Sequence, residues 1–578
     1  MSVAAQSIPN IAQRFWTKHY DAGVPTTIEY PNIMLWELVK QSADKYPANT
    51  ALHFLGKDVS YRELWDSIQR FATALQAMGV KKGDRVGVML PNCPQFLIAF
   101  YGTNLAGATV VAINPIYTPR ELEHLLKDSE CETLVILDLK YPVFREVAGA
   151  SKVRRTIVTG IQDYLPFPKN FLFPIKAKKD GVWVDIKPAP DLFSFKKLLA
   201  KHPAPPSKVA SDPAEDVAML LYTGGTTGFP KAAMLTNRNL VANAIQCHAW
   251  VKEGTVEGKT VAGGALPFFH SYGLSTVMNL TMRIGGTIIL FPKFDVAEVV
   301  KSIQKFKINI FSGVPTMYVA INNYPDLSKY DLSSITGCTS GGAALPVEVK
   351  AEFERNTGGK LVEGYGLSES SPVLTSNPLH GEARSGCIGV PFPDTEVRIV
   401  DENGNTLSFG EVGELCAAGP QVMKGYWNRP EETAKTLRTD ENGKTWLFTG
   451  DMARMDEEGF LYIADRKKEL ILVGGFNVFP REVEEVLYEH PKVQEAVVAG
   501  IKDKYMGETV KAYIVLREGE TLTAEEVIAF CKERLASYKV PRFVEFRKEL
   551  PKTMIGKILR RVLIEEEEAR AKAAEEHA

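Results

Sequence analysis

The sequence is poor in cysteine, has no surplus of either charge and contains no long apolar run. Its seven cysteines (Cys93, Cys131, Cys247, Cys338, Cys387, Cys416 and Cys531) are scattered through 578 residues without a CxxC pair. An odd, dispersed set argues against a disulfide framework or a cysteine-bound zinc and reads as reduced, buried thiols. Lys and Arg number 68 against 70 Asp and Glu, a formal net charge of -2. That balance argues against a generic polyanion binder, so no nucleic-acid partner is expected. No apolar stretch approaches the roughly 18 residues that span a bilayer. The opening MSVAAQSIPNIAQRFW lacks the basic and apolar regions of a signal peptide. A cytoplasmic protein is expected, with contact at the inner face of the membrane left open. Hydrophobic residues at 45% and charged residues at 24% are those of a globular chain, of about four structural units at ~150 residues each.

What the chain does have is alternation. DRVGVML (84–90), TVVAIN (109–114) and TLVILD (133–138) read as short buried strands, with an apolar helix at 95–105 between the first two. Thr118, Pro119 and Glu121 form a capping box that opens another helix. Strands separated by helices require crossovers, so the expected class is α/β with a largely parallel sheet. Pro and Lys crowd residues 164–210, which reads as an irregular connection into a compact strand at 216–222. After the charged DRKK (465–468) the pattern becomes α+β: a helix at 480–489, strands at 493–501 and 510–516, a helix capped by Thr523 and Glu526 running to Ala536, and a strand at 543–546. The tail, IEEEEARAKAAEEHA, has helix formers but no apolar face, and is expected to fray. There is no internal repeat.

The most informative stretch is LYTGGTTGFPKAAML (221–235). Glycines bring backbone N–H groups close to an anion and threonine hydroxyls add donors, so the loop reads as a phosphate cradle. It is not a Walker A loop, because no Ser or Thr follows Lys231. On this segment alone, a flexible surface turn is an equal reading.

YTGGTTGFPK resembles the signature loop of the adenylate-forming superfamily, which includes acyl-CoA synthetases, luciferases and adenylation domains. Further segments similar to that family follow in the family's order: LPFFHSYG (266–273), SGGAALP (340–346), EGYGLSES (363–370), WLFTGD (446–451), ADRKKELILVGGFNVFPREVE (464–484) and LPKTMIGKILRR (550–561). PNCPQ, QVMKGYWNRPEET and FRKELPKT make the chain most like bacterial long-chain fatty-acid–CoA ligases. The resemblance implies a large multi-subdomain N-terminal domain with mixed and parallel sheets (1–464), a hinge (465–468) and a small mobile α+β C-terminal domain (469–578). It implies ATP, Mg2+ and CoA as cofactor and co-substrates, with a fatty acid as the acid substrate. Other readings stay open: a fatty-acyl-AMP ligase that loads a carrier protein, or a medium-chain or aryl acid–CoA ligase. A homodimer is also open.

Residue roles carry over position by position. Thr223, Gly224, Gly225, Thr226, Thr227, Gly228 and Lys231 are implied to hold the ATP phosphates, with Thr223 and Glu369 placing the metal. Gly341, Gly342, Ala343, Tyr365 and Gly366 would wall the adenine site, and Ser368 would reach a phosphate. Asp451 has the acceptor-only chemistry for ribose hydroxyls, with Arg466 beside it. Lys557 is implied to be the mobile catalytic cation, Lys468 the pivot, and Gly474 and Gly475 the passage for pantetheine. Phe268, His270, Tyr272, Leu274, Val277, Val314, Met317 and Ala343 are candidates for the acyl site. Each of the apolar ones reads equally as core. The sequence departs from common family usage at Gly224, Ala232 and Met554-Ile555 without losing a required group.

Overall fold

A computed structural model describes residues 13–181, 183–223, 230–466, 469–473, 476–503, 506–552 and 558–576. The expected strands form at Arg85–Met89, Thr109–Ala112 and Thr133–Leu137. They pair in parallel with one another and, through Thr109–Ala112, with Val217–Thr223. Their register sets Val111 opposite Leu220, and both side chains are fully buried. The hairpin partner Lys231–Thr236 runs antiparallel to Val217–Thr223 and closes this side of an eight-stranded sheet with Gly425–Tyr426.

A second, nine-stranded sheet carries the parallel strands Thr50–Phe54, Thr287–Leu290, Val261–Gly264, Ile310–Gly313, Gly337–Ser340 and Lys360–Gly366. Antiparallel strands flank them: Lys57–Ser60 at one edge, Val373–Ser376 and Val390–Pro391 at the other. The helix Pro94–Leu105 is buried on nearly every side, with Phe96, Phe100 and Tyr101 at its centre. Such a helix needs no amphipathic stripe, which is why its sequence is apolar throughout. A third sheet is antiparallel and carries Thr445–Met455 and Leu461–Arg466. A fourth, formed by residues 471–546, joins Val493–Asp503 and Gly507–Leu516 with Phe543–Phe546 parallel at its edge.

Capping follows the sequence closely. Thr118 and Glu121 exchange the reciprocal bonds of a capping box, as do Thr523 and Glu526, each worth about 1 kcal/mol over an uncapped end. All seven cysteines are free and buried, and burial pushes the Cys93, Cys131 and Cys247 thiols up to about 12. No helix among the described residues is long and apolar enough to cross a membrane.

Three expectations are corrected. Residues 164–210 are not irregular: they include the helix Lys169–Lys179, the strand Leu192–Ser194 and the helix Phe195–Lys201. The helix capped by Thr523 ends at Lys532, short of Ala536. The tail is held as the helix Arg560–Glu576. Leu563 is fully buried against Val497 and Tyr513, and Glu567 reaches Lys511 at 2.9 Å. Ion pairs to the buried Lys511 supply what the tail's missing apolar stripe could not.

Candidate active site

Four of the parallel strands of the nine-stranded sheet open, at their carboxyl ends, onto one cleft. Val261–Gly264 leads to His270 and Tyr272, Ile310–Gly313 to Val314, Gly337–Ser340 to residues 341–343, and Lys360–Gly366 carries Tyr365. This is where open α/β sheets bind ligands, because loops rather than paired strands shape the surface there. The cleft holds about 2730 Å3, several times the ~300–1,000 Å3 of a single small-molecule pocket. Its volume suits more than one ligand at a time.

The glycine-rich loop springs from the hairpin. Thr223 and Lys231 are Cα partners at its base, and the Thr223 hydroxyl donates to the Lys231 carbonyl at 3.3 Å. Gly224, Gly225, Thr226, Thr227 and Gly228 lie outside the described residues. The Lys231 ammonium pairs with the Glu432 carboxylate and stands 5.2 Å from the centre of the Tyr426 ring. The Tyr426 hydroxyl donates to Glu369 Oε1 at 2.7 Å. Burial, with the Glu369 charge beside it, pushes the Tyr426 phenol well above the usual range, so it stays a donor. Bonding to Lys231 and then Lys435 holds the Glu432 carboxyl down at about 2. Glu432 therefore occupies, with its own negative charge, the cation expected to meet phosphate. The variant Glu432→Gln is expected to lower the KM for ATP about two- to fivefold, the scale of a part-exposed ion pair. Initial rates against ATP measure it, and an unchanged KM would mean the pair opens without cost.

Across the cleft, the Tyr365 hydroxyl donates to Asp451 Oδ2 at 2.5 Å, joining two residues 86 positions apart. Asp451 lies in Thr445–Met455, directly opposite Arg466 in Leu461–Arg466. The side chain of Arg466 lies outside the described residues. Gly341 leaves the wall thin: a Cβ there would stand 3.2 Å from the Tyr272 ring. Gly342 has φ +81°, a conformation that side chains rarely adopt. At Gly366 a Cβ would fall 2.0 Å from the Pro372 carbonyl oxygen. The backbone must then move, so Gly366→Ala is expected to cost about 3 kcal/mol, the upper end for overpacking, together with ATP affinity. A urea unfolding curve measures the first and a nucleotide titration the second.

Ser368 and Glu369 sit in the short turn Ser368–Ser370 on the cleft wall. Of the acyl candidates, His270, Tyr272, Val314 and Ala343 line the cleft. His270 Nδ1 accepts from the Tyr272 backbone N–H at 3.3 Å, capping the turn Ser271–Gly273, and the Tyr272 hydroxyl donates to the Thr339 carbonyl at 2.8 Å. Phe268, Leu274 and Val277 are instead packed in the main core, and Met317 sits with Leu266 and Val314 in a small cluster. Lys557, Lys468, Gly474 and Gly475 lie outside the described residues. Lys552 and Ile558, which bracket the Lys557 segment, pair across an antiparallel bridge and both line the cleft.

Several cleft residues carried no role in the sequence reading. Tyr426 and Glu432 stood inside QVMKGYWNRPEET, where nothing local marked them as partners of Glu369 and Lys231. Arg560 gathers Glu469, Glu484 at 2.6 Å and Asp465 at 3.9 Å, tying the last helix to the segment around 465. Glu363, from EGYGLSES, is a carboxylate only 7% exposed on the cleft wall. Burial pushes it up to about 7, opposed by the Arg481 charge. The folded protein thus binds a proton more readily than the unfolded chain between about pH 4.5 and 7, and stability falls as pH rises through that window. Glu363→Gln is expected to flatten this slope and to stabilise the protein at pH 8 by on the order of 1–3 kcal/mol. Denaturant midpoints at pH 5 and pH 8 measure both effects.

A cleft with room for a nucleotide beside a second ligand, lined by Lys231 and by the Tyr365–Asp451 pair, suits an enzyme that uses a nucleotide on another substrate. The chain belongs to the AMP-binding enzyme family: residues 39–427 match the AMP-binding enzyme model, and residues 482–557 match the AMP-binding enzyme C-terminal domain. It is 49% identical to a long-chain-fatty-acid–CoA ligase of Bacillus subtilis (strain 168), over 96% of this chain and 98% of that one. To a long-chain-fatty-acid–CoA ligase of Escherichia coli O157:H7 it is 40% identical, over 97% and 99%. Among solved structures it resembles ATP-bound MatB from Rhodopseudomonas palustris, with a TM-score of 0.82 at 29% identity, covering 93% of this chain and 99% of that one.

Proposed function

We propose that the protein is an ATP-dependent long-chain fatty-acid–CoA ligase working through an acyl-adenylate. The observation that carries this reading is the convergence of Lys231, Glu369, Tyr365 and Asp451 on one cleft. The long-chain acid is supported by the two bacterial relatives. In the first half-reaction a carboxylate oxygen attacks the α-phosphorus of ATP and the bond to the β-phosphate oxygen breaks, releasing pyrophosphate. In the second, the CoA sulfur attacks the acyl carbon, the mixed-anhydride C–O bond breaks, AMP leaves and the thiol proton goes to solvent.

The residues divide this work. Lys231, released from Glu432, and Thr223 hold phosphate oxygens at the base of the glycine loop, with Gly224, Gly225, Thr226, Thr227 and Gly228 supplying backbone donors. Asp451 takes the ribose hydroxyls and Tyr365 covers the adenine. His270 and Tyr272 orient the carboxylate end of the acid. No general base is required, since a fatty acid is ionised at neutral pH. Lys557 stabilises the charge that develops on the α-phosphate. A small domain beginning after residue 468 turns about Lys468, exchanging Lys557 for Gly474 and Gly475 at the cleft.

Magnesium fits the donors present. Glu369 offers a carboxylate oxygen fixed by Tyr426, Thr223 a hydroxyl, and no group of three or more His, Cys, Asp or Glu that could hold a metal occurs among the described residues. A hard cation that takes one or two carboxylates and fills its shell with phosphate oxygens and water suits such a site. When bound, it offsets phosphate charge.

Purified protein incubated with MgATP, CoA and single acids from acetate to stearate tests the reading. Palmitoyl-CoA with one AMP per thioester is expected. Accumulated palmitoyl-AMP without thioester would mean a carrier-protein loader, and preference for short or aromatic acids would overturn the long-chain assignment.

A further inference from the structure

The helix Lys169–Lys179 takes no part in the cleft. Ala177 is its buried residue, whereas Phe171, Leu172 and Ile175 are 72%, 53% and 60% exposed, and Phe167 just before it is 85% exposed. At about 100° per residue, Phe171, Leu172 and Ile175 fall within one ~100° sector, on the side away from Ala177. The usual arrangement of a surface helix is reversed, with the apolar sector facing solvent. Lys176, Lys178 and Lys179 follow in its last turn and Lys169 opens it, while no Asp or Glu occurs from 164 to 179. Isolated exposed apolar side chains are ordinary; four of them clustered among cations mark an interaction surface.

We propose that this helix docks the protein onto an anionic lipid bilayer. Phe167, Phe171, Leu172 and Ile175 enter the boundary between headgroups and acyl chains, and the lysines meet lipid phosphates. Aromatic and aliphatic residues beside lysines, with no carboxylate among them, match the chemistry of an interfacial helix and complement a negatively charged leaflet. The choice of bilayer over a protein partner also rests on the fatty-acid reading, because a long-chain acid partitions into membranes and is collected there. The helix sits away from the catalytic groups: Lys169 and Pro166 lie near Gly56, and Lys178 stands 5.4 Å from the Trp183 ring.

Flotation of the full-length protein with vesicles of phosphatidylcholine, with and without phosphatidylglycerol, tests the proposal. The protein is expected to float with the anionic vesicles and to be released by salt. The double variant Phe171→Ser with Ile175→Ser is expected to lose binding by roughly tenfold or more. Lys176→Gln, Lys178→Gln and Lys179→Gln together are expected to lose it by a similar factor and to remove the salt dependence. Both sets should keep the wild-type rate on water-soluble octanoate, which controls for folding. Wild-type protein that stays in the aqueous fraction overturns the proposal, as do variants that float like wild type. A shift from dimer to monomer in the Phe171→Ser, Ile175→Ser protein, with flotation unchanged, would assign the surface to self-association and equally overturn it. Palmitoyl-CoA formed from detergent-dispersed palmitate by a protein that does not float would refute this inference alone. Flotation without acyl-AMP or acyl-CoA would support it and refute the enzymatic reading.

Discussion

Replacing Lys557 by alanine is expected to lower the rate of acyl-adenylate formation by roughly 10²–10³-fold, the effect of removing one preorganised donor from a site of developing charge. The α-phosphate gains negative charge as carboxylate and pyrophosphate share it, and in a partly desolvated cleft that charge is costly without a cation. Lysine is suited to a moving role because its charge sits at the end of a long, flexible stem. Lys552 and Ile558, on either side of the segment, face the cleft. Thiolysis of supplied palmitoyl-AMP involves no pyrophosphate departure and should fall far less. Quenched-flow measurement of the two half-reactions separates these outcomes. Equal losses in both, with an unchanged melting temperature, would remove Lys557 from the adenylation step.

Glu369→Gln is expected to lower adenylation by roughly a hundredfold, several kcal/mol of lost metal-supported charge stabilisation. Glutamine keeps an oxygen for the Tyr426 hydroxyl, so the 2.7 Å contact that positions the side chain has a substitute. What disappears is the negative charge. The half-saturating Mg2+ concentration should therefore rise by roughly tenfold or more, a change that a purely structural role would not produce. Rates measured across a Mg2+ series decide the point: an unchanged half-saturation would assign Glu369 to packing of its turn.

Much of the architecture was legible because its signals are local. Apolar runs such as TLVILD and capping boxes such as Thr118 with Glu121 state their structure within a few residues. Residues 164–210 misled because the helix Lys169–Lys179 contains Pro174 and turns its apolar side outward, so neither composition nor periodicity looks helical. The tail misled for a related reason: among its described side chains Leu563 and Ile564 pack, and its acidic residues are held by Lys511 and Arg547 outside the helix. The site divides the same way. Lys231, Glu369, Tyr365 and Asp451 stood out through family resemblance, but the partners of Lys231 and Glu369 did not. Glu432 meets Lys231 across 201 positions and Tyr426 meets Glu369 across 57, and only the fold supplies those pairings. Phe268, Leu274 and Val277 could not be told from core by residue type, and the core is where they pack.

Adenylate formation requires that the acid's own oxygen attack the α-phosphorus of ATP. Palmitate labelled with 18O in its carboxyl group, turned over once with MgATP and CoA, tests it by mass spectrometry of the products. One labelled oxygen is expected in AMP for each palmitoyl-CoA formed, and none in pyrophosphate. Label in inorganic phosphate, or AMP without label, would contradict it.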